Sequence, residues 1–228
     1  MRRHFPVKGE IMLNMLIVFS AASLLSALLY HEKHNNFKNV LITKTALSCL
    51  FIIAALVQPH PDARYFQILL GGLIFCLAGD IFLALRQERM FFLGLVSFLT
   101  GHLFYVACFF YIAGITLWTL VGLIITCAVG FPIYRWLEPN LGSMKLPVIF
   151  YIVVISLMVG NAFSVLGSPA IDFSGRTMIF SGALLFYVSD IFVARQRFIK
   201  DDFANRLIGR PLYYAGQFLL AFSVGLIK

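Results

Sequence analysis

The segment Gly72-Leu-Ile-Phe-Cys-Leu-Ala-Gly-Asp80-Ile-Phe-Leu-Ala84 recurs as Gly182-Ala-Leu-Leu-Phe-Tyr-Val-Ser-Asp190-Ile-Phe-Val-Ala194. In both copies glycine stands eight residues before the aspartate, Ile-Phe follows it, and alanine closes the segment. Each aspartate is embedded in an apolar run of the length a bilayer-spanning helix needs, about 17–25 residues. A charged side chain near the bilayer centre costs roughly 2.5–3.5 kcal/mol on insertion scales and faces a bundle interior or a cavity. Two such costs in matched contexts predict one shared polar site.

Outward from these segments the whole chain is apolar. Of its 228 residues 61% are hydrophobic and 12% charged, whereas a soluble domain carries about 25% charged residues. The reading is an all-α, polytopic membrane bundle forming a single domain over residues 1–228. Its eight expected spans are Ile11–Tyr30, Val40–Val57, Phe66–Leu85, Phe91–Ala113, Leu117–Ile133, Pro147–Gly167, Thr177–Ala194 and Pro211–Ile227. Pro147 and Pro211 are placed at helix starts, where a missing N–H does little harm, and Gly114 alone marks the break between spans four and five. Arg2-Arg3 and Ser20-Ala-Ala-Ser23 resemble parts of a cleaved signal peptide, but the apolar stretch runs on to Leu29, so a retained helix is expected.

Eight spans put both termini on one side. Arg2, Arg3, Lys8, Arg64, Arg176 and Lys228 fall on that side, and the remaining 12 of the 18 Lys and Arg fall on the other. The positive-inside rule then makes the loops after spans one, three, five and seven cytoplasmic, with both termini outside. The net charge of +8 is dispersed between apolar runs rather than gathered on a basic face, which points to lipid headgroups and not to nucleic acid. Asp80 lies six residues before Arg86 and Asp190 five before Arg195, so both carboxylates sit roughly 7–9 Å inside parallel helices at similar depth. The four-span offset suggests a parallel, at least local, duplication of spans 1–4 and 5–8. Gly71, Gly72, Gly79, Gly182 and Ser189 read first as small residues for close helix approach.

Several chemistries find no support. Cys49, Cys76, Cys108 and Cys127 lie in apolar runs without ligand spacing and read as core residues. No G-x-S-x-G, HExxH or Walker A pattern occurs. Tyr30-His-Glu-Lys-His34 has metal-ligand types, but its place between spans favours a solvated turn over a metal site. A retinal protein needs a lysine in span seven, and none is there. A proton-coupled transporter that relays protons through Asp80, Asp190 and His102 is the principal alternative to an enzyme.

An ordered set of motifs extends the aspartate segments: Phe92-Leu-Gly94, Phe98, His102 and Tyr105 in span four, and Tyr213-Tyr-Ala-Gly-Gln217 in span eight. With Gly72–Asp80 and Gly182–Asp190 they cover about half the chain, which resembles the YhhN family of eight-span membrane proteins. That pattern often has Lys-Pro where this chain has Lys44-Thr45. The resemblance implies an integral protein of the bacterial cytoplasmic membrane, or of the endoplasmic reticulum in animals. It also implies hydrolysis of the vinyl-ether bond of lysoplasmalogen, a single-chain ether phospholipid, to a fatty aldehyde and a glycerophosphoethanolamine or glycerophosphocholine.

The residues suit that chemistry. Vinyl ethers hydrolyse by protonation at carbon, giving an oxocarbenium ion that water attacks. The reaction needs a proton donor, a negative charge beside the cation and a base for water. Asp80 and Asp190 can divide these roles as glycosidase carboxylates do, with no metal or organic cofactor required. His102 is expected to donate a proton or orient an aspartate. Tyr105 enters with the same motif, and Asn161, Tyr187, Tyr214 and Gln217 are expected to bind the glycerol hydroxyl or fix the carboxyls. Lys44, near a helix end, either snorkels to the interface or binds phosphate.

Overall fold

A chain this apolar has no water inside the bilayer to satisfy its N–H and C=O groups, so helices that bond internally are the available solution. The computed structural model describes residues 8–85 and 87–228. Eight α-helices run in order: α1 (Lys8–Lys33), α2 (Phe37–Val57), α3 (Ala63–Ala84), α4 (Glu88–Ala113), α5 (Leu117–Leu137), α6 (Lys145–Gly167), α7 (Phe173–Phe198) and α8 (Phe203–Ser223), the last followed by a 3₁₀ turn over Val224–Leu226. No strand occurs among the described residues. Of the charges counted for topology, Arg2, Arg3 and Arg86 lie outside the described residues.

The helix ends follow local chemistry. Asn36, Asp62, Asp172 and Asp202 cap α2, α3, α7 and α8 by accepting from backbone N–H groups in the first turn, each worth about 1 kcal/mol. Gly114 ends α4 at φ +64°, a left-handed conformation glycine adopts without Cβ strain. Thr116 and Thr119 then form a reciprocal capping box that starts α5.

All eight expected spans are helical, and seven are long and apolar enough to cross a membrane. The eighth, α8, differs. It begins at Phe203 under the Asp202 cap instead of at Pro211, so Pro211 lies inside the helix and Arg206 and Arg210 join its first half. Those charges lower its apolarity, and it packs against α1, α2, α3 and α7. The Tyr30–His34 segment is also more ordered than a solvated turn: Glu32 belongs to the last turn of α1, is 6% exposed, and pairs with Arg210 at 3.0 Å.

The bundle buries a set of polar groups inside a largely apolar core and turns further large apolar side chains outward. Large side chains such as Phe19, Ile53, Phe110, Ile124, Phe131 and Phe150 face outward, whereas Lys44, Ser48, Asp80, His102 and Gln217 are buried. α3 packs on α4 as α7 packs on α8. The aspartate-bearing helices meet their partners at glycines: a Cβ on Gly101 would lie 3.1 Å from the Gly72 carbonyl, and one on Gly216 would lie 2.8 Å from that of Gly182. Gly94 and Gly101 in α4 have the same seven-residue spacing as Gly209 and Gly216 in α8. The repeat therefore extends from the aspartate helices into the helices they lean on.

Candidate active site

Asp80 sits in the last turn and a half of α3, where its carboxylate faces α2 and α8. Lys44 of α2 places Nζ 3.1 Å from Asp80 Oδ1 and donates to the Asp80 backbone carbonyl at 3.2 Å. On Oδ2, Ser48 Oγ and Tyr213 Oη each donate at 2.6 Å. Lys44 and Ser48 are four residues apart and so share one face of α2; the close α2–α3 packing turns that face onto the aspartate. Both members of the ion pair are 1% exposed, so Lys44 neither snorkels to a helix end nor offers its ammonium to an external phosphate. A buried charge persists only when paired and hydrogen-bonded, and Asp80 has three side-chain partners.

Asp190 is held differently. Tyr151 Oη, from α6, donates to Oδ2 at 2.6 Å, and among the described residues no cation lies within ion-pair distance of this carboxyl. The duplicated aspartates thus occupy opposite electrostatic settings. Asp80 faces a lysine and two hydroxyl donors, whereas Asp190 faces a phenol.

Both line one cavity of about 490 Å³. Tyr151, Tyr187 and Tyr213 share its polar wall; Leu83, Leu95, Phe98, Ile133, Ile152 and Ile155 supply much of its apolar wall. Its other end is formed by the α7–α8 turn and its flanks, including Arg197, Asp201, Arg206 and Arg210. Such a space, apolar along its length and polar at two points, suits an amphiphile.

The remaining expected residues are placed as follows. Gln217 Nε2 donates to Tyr213 Oη at 3.2 Å and Gln217 Oε1 accepts from Tyr105 Oη at 2.8 Å, so Tyr105 and Gln217 buttress the tyrosine on Asp80. Tyr214 Oη lies 3.4 Å from Ser48 Oγ and from the Lys44 carbonyl, which packs it behind the ion pair. Tyr187 reaches the cavity wall. His102 is fully buried against Tyr151 and Phe186, with ring centroids at 5.2 and 4.6 Å, and neither ring nitrogen has a hydrogen-bond partner. It stands behind Tyr151 rather than in the cavity. Asn161 lies in α6 away from the cavity lining, with Oδ1 unpartnered.

Ser48, Tyr151 and Tyr213 touch the aspartates directly but carried no expected role from the residues alone. For Ser48 a signal was present: four residues after Lys44, it shares the lysine's helix face. Tyr213 lay inside the terminal motif. Tyr151 has no counterpart signal, because a tyrosine in an apolar run reads as packing. Among the described residues no three His, Cys, Asp or Glu side chains converge as metal ligands do.

The model of the YhhN family matches residues 39–224, which include every residue of this cavity. The chain is 30% identical over 182 residues to lysoplasmalogenase TMEM86A of Bos taurus, covering 76% of this chain and 72% of that one. The human TMEM86A lysoplasmalogenase is 29% identical over 179 residues, with the same coverage. Lysoplasmalogenase TMEM86B of Mus musculus is 28% identical over 186 residues, covering 81% and 74%. No solved structure matches the chain.

Proposed function

The chain belongs to the YhhN family, and from that premise we propose that it is a membrane-embedded hydrolase that cleaves the vinyl-ether bond of lysoplasmalogen. The observation that carries this reading is the unequal treatment of two matched carboxyls in one cavity. Asp80, beside Lys44 and under the Ser48 and Tyr213 hydroxyls, serves as the carboxylate. Asp190, with one phenol and no cation, serves as the proton donor.

In this mechanism the ether chain lies along the apolar wall with its double bond between the two carboxyls. Asp190 delivers its proton to the alkene carbon distal to oxygen, and the carbon bound to oxygen becomes an oxocarbenium centre. The negative charge of Asp80 stabilises that centre. Water adds to it and gives up a proton to a carboxylate, forming a hemiacetal. The C–O bond to glycerol then breaks as the carboxyl that took up the water proton protonates the departing oxygen, the hemiacetal hydroxyl proton returns to that carboxylate, and the products are a fatty aldehyde and the glycerophospho-alcohol. Protons balance, Asp190 is reprotonated, and no redox step occurs. Enclosure by Phe98, Ile152 and Ile155 excludes bulk water and strengthens the electrostatics. We place the protein in the bacterial cytoplasmic membrane with both termini outside, as the positive charges suggest.

The test is aldehyde release from a 1-alkenyl lysophospholipid by purified protein beside Asp80→Asn and Asp190→Asn. Each variant is expected to fall by about 10²–10⁴-fold, the range of general acid–base contributions, while its helix content and melting behaviour show it folded. A folded Asp190→Asn variant with wild-type turnover refutes the assignment. Disappearance of lipid across vesicles without any aldehyde assigns the aspartates to transport.

A further inference from the structure

The aspartate end of the cavity accounts for the reacting bond and leaves its basic end unexplained. Arg197 is seven residues after Asp190 on α7, and Arg206 is seven residues before Tyr213 on α8. Seven residues are nearly two full turns, so Arg197 lies on the same face as Asp190, and Arg206 on the same face as Tyr213, each about 10 Å along the axis. All four line the same cavity.

The three arginines at this end are not equivalent. Arg206 is paired with Asp201, and Arg210 with Glu32 at 3.0 Å. Arg197 lies 4.4 Å over the ring of Phe91, which itself lines the cavity, and among the described residues it has no carboxylate partner. Among the described residues that line the cavity, its positive charge is therefore the one without a carboxylate beside it. The ring holds the guanidinium in place by a cation–π contact and leaves its N–H edge available for an anion.

We infer that Arg197, with Arg206 beside it, binds the phosphodiester of the single-chain ether lipid and sets how deep the vinyl ether rests. This rests on the hydrolase reading for the identity of the lipid. Five bonds separate the ether oxygen from phosphorus, about 6 Å when extended. That span, plus a phosphate-to-guanidinium hydrogen bond of about 3 Å, matches the two-turn rise from Asp190 to Arg197. The same geometry orients the molecule: headgroup at the α7–α8 turn, scissile bond between the aspartates, chain along the apolar wall. Arg197 is a specificity-determining residue in this scheme, since a lipid lacking phosphate loses its depth stop.

Binding rather than turnover gives the cleanest test, because it survives failure of the hydrolase reading. The dissociation constants of a saturated 1-alkyl glycerophosphocholine and of the matching phosphate-free 1-alkylglycerol are measured on wild type, Arg197→Gln and Arg197→Lys in a non-ionic detergent. Wild type is expected to prefer the phospholipid, Arg197→Gln to lose about tenfold of that preference, as for one charge-assisted hydrogen bond, and Arg197→Lys to recover part of it. An unchanged preference in Arg197→Gln, or none in wild type, overturns the assignment. Glycerophosphocholine should compete with the phospholipid more strongly than inorganic phosphate at equal concentration. Equal or stronger competition by inorganic phosphate assigns the site to the free anion instead. If binding behaves as expected but wild type releases no aldehyde from the alkenyl lipid, the hydrolase reading fails and the phosphate site stands.

Discussion

Replacing Lys44 by methionine keeps most of the length of the side chain and removes its charge. Asp80 Oδ1 then loses a cation at 3.1 Å, while the Ser48 and Tyr213 donors on Oδ2 remain at 2.6 Å. Breaking a buried ion pair from one side costs about 3–5 kcal/mol, because a charge is left uncompensated. Asp80→Asn does the converse, leaving the Lys44 ammonium against the Asp80 carbonyl at 3.2 Å, and belongs to the same range. Near a midpoint, 1 kcal/mol moves Tm by about 2–4 °C for a chain of this size. Each single variant should therefore melt roughly 10 °C below wild type. The double variant Lys44→Met/Asp80→Asn buries no net charge, and its asparagine still accepts from Ser48 and Tyr213. Its loss should fall short of the sum of the two single losses by a coupling of about 2–3 kcal/mol. Thermal unfolding followed by circular dichroism in one detergent measures all four proteins. A double variant whose loss equals the sum of the singles refutes the pairing as the source of Asp80's stability in the bundle.

Tyr151→Phe removes the hydroxyl that donates to Asp190; a hydrogen bond to a charged or strongly polar partner is worth about 1.5–3 kcal/mol, so aldehyde release should drop about 10–100-fold, measured on protein shown to be folded. Gly216→Val forces a Cβ to 2.8 Å from the Gly182 carbonyl, and backbone cannot rotate away as a side chain can. Overpacking of this kind costs about 1–3 kcal/mol or more, read as a lower Tm, whereas Gly9→Val, with open space around its Cβ, should melt as wild type does. Asp202 lies in the turn before α8, where the Ala204 N–H and then Lys200 hold its carboxyl below the usual range. A depressed folded value stabilises above the unfolded value, about 3.9, and that contribution fades as pH falls through the folded value. Asp202→Asn keeps a capping oxygen without the charge, so its Tm deficit relative to wild type should be present at pH 6 and vanish at strongly acid pH; a deficit constant with pH removes Asp202 from the pH dependence.

Much of the architecture was legible because hydrophobic length and helix punctuation are local properties. The seven apolar helices and the Gly114 break follow from residues within a few positions of one another. The start of α8 was misplaced for the same reason: apolarity alone puts the boundary at Pro211, whereas the Asp202 cap and the Arg210–Glu32 pair carry the helix two turns further back. The seven-residue glycine spacing shared by α4 and α8 was present in the chain but carries meaning only beside the glycines of α3 and α7 that it meets.

The sequence by itself determined that two carboxyls would stand in apolar helices within matched local segments. Tertiary structure alone decided that they are not alike. Asp80 draws Lys44 and Ser48 from α2 and Tyr213 from α8, and Asp190 draws Tyr151 from α6. The nearest of these partners along the chain is 32 residues away. Helical periodicity fixes which side chains share a face but not which face meets which neighbour. That is settled by the glycine crossings and by the need of each buried polar group for a partner, and both are properties of the packed bundle.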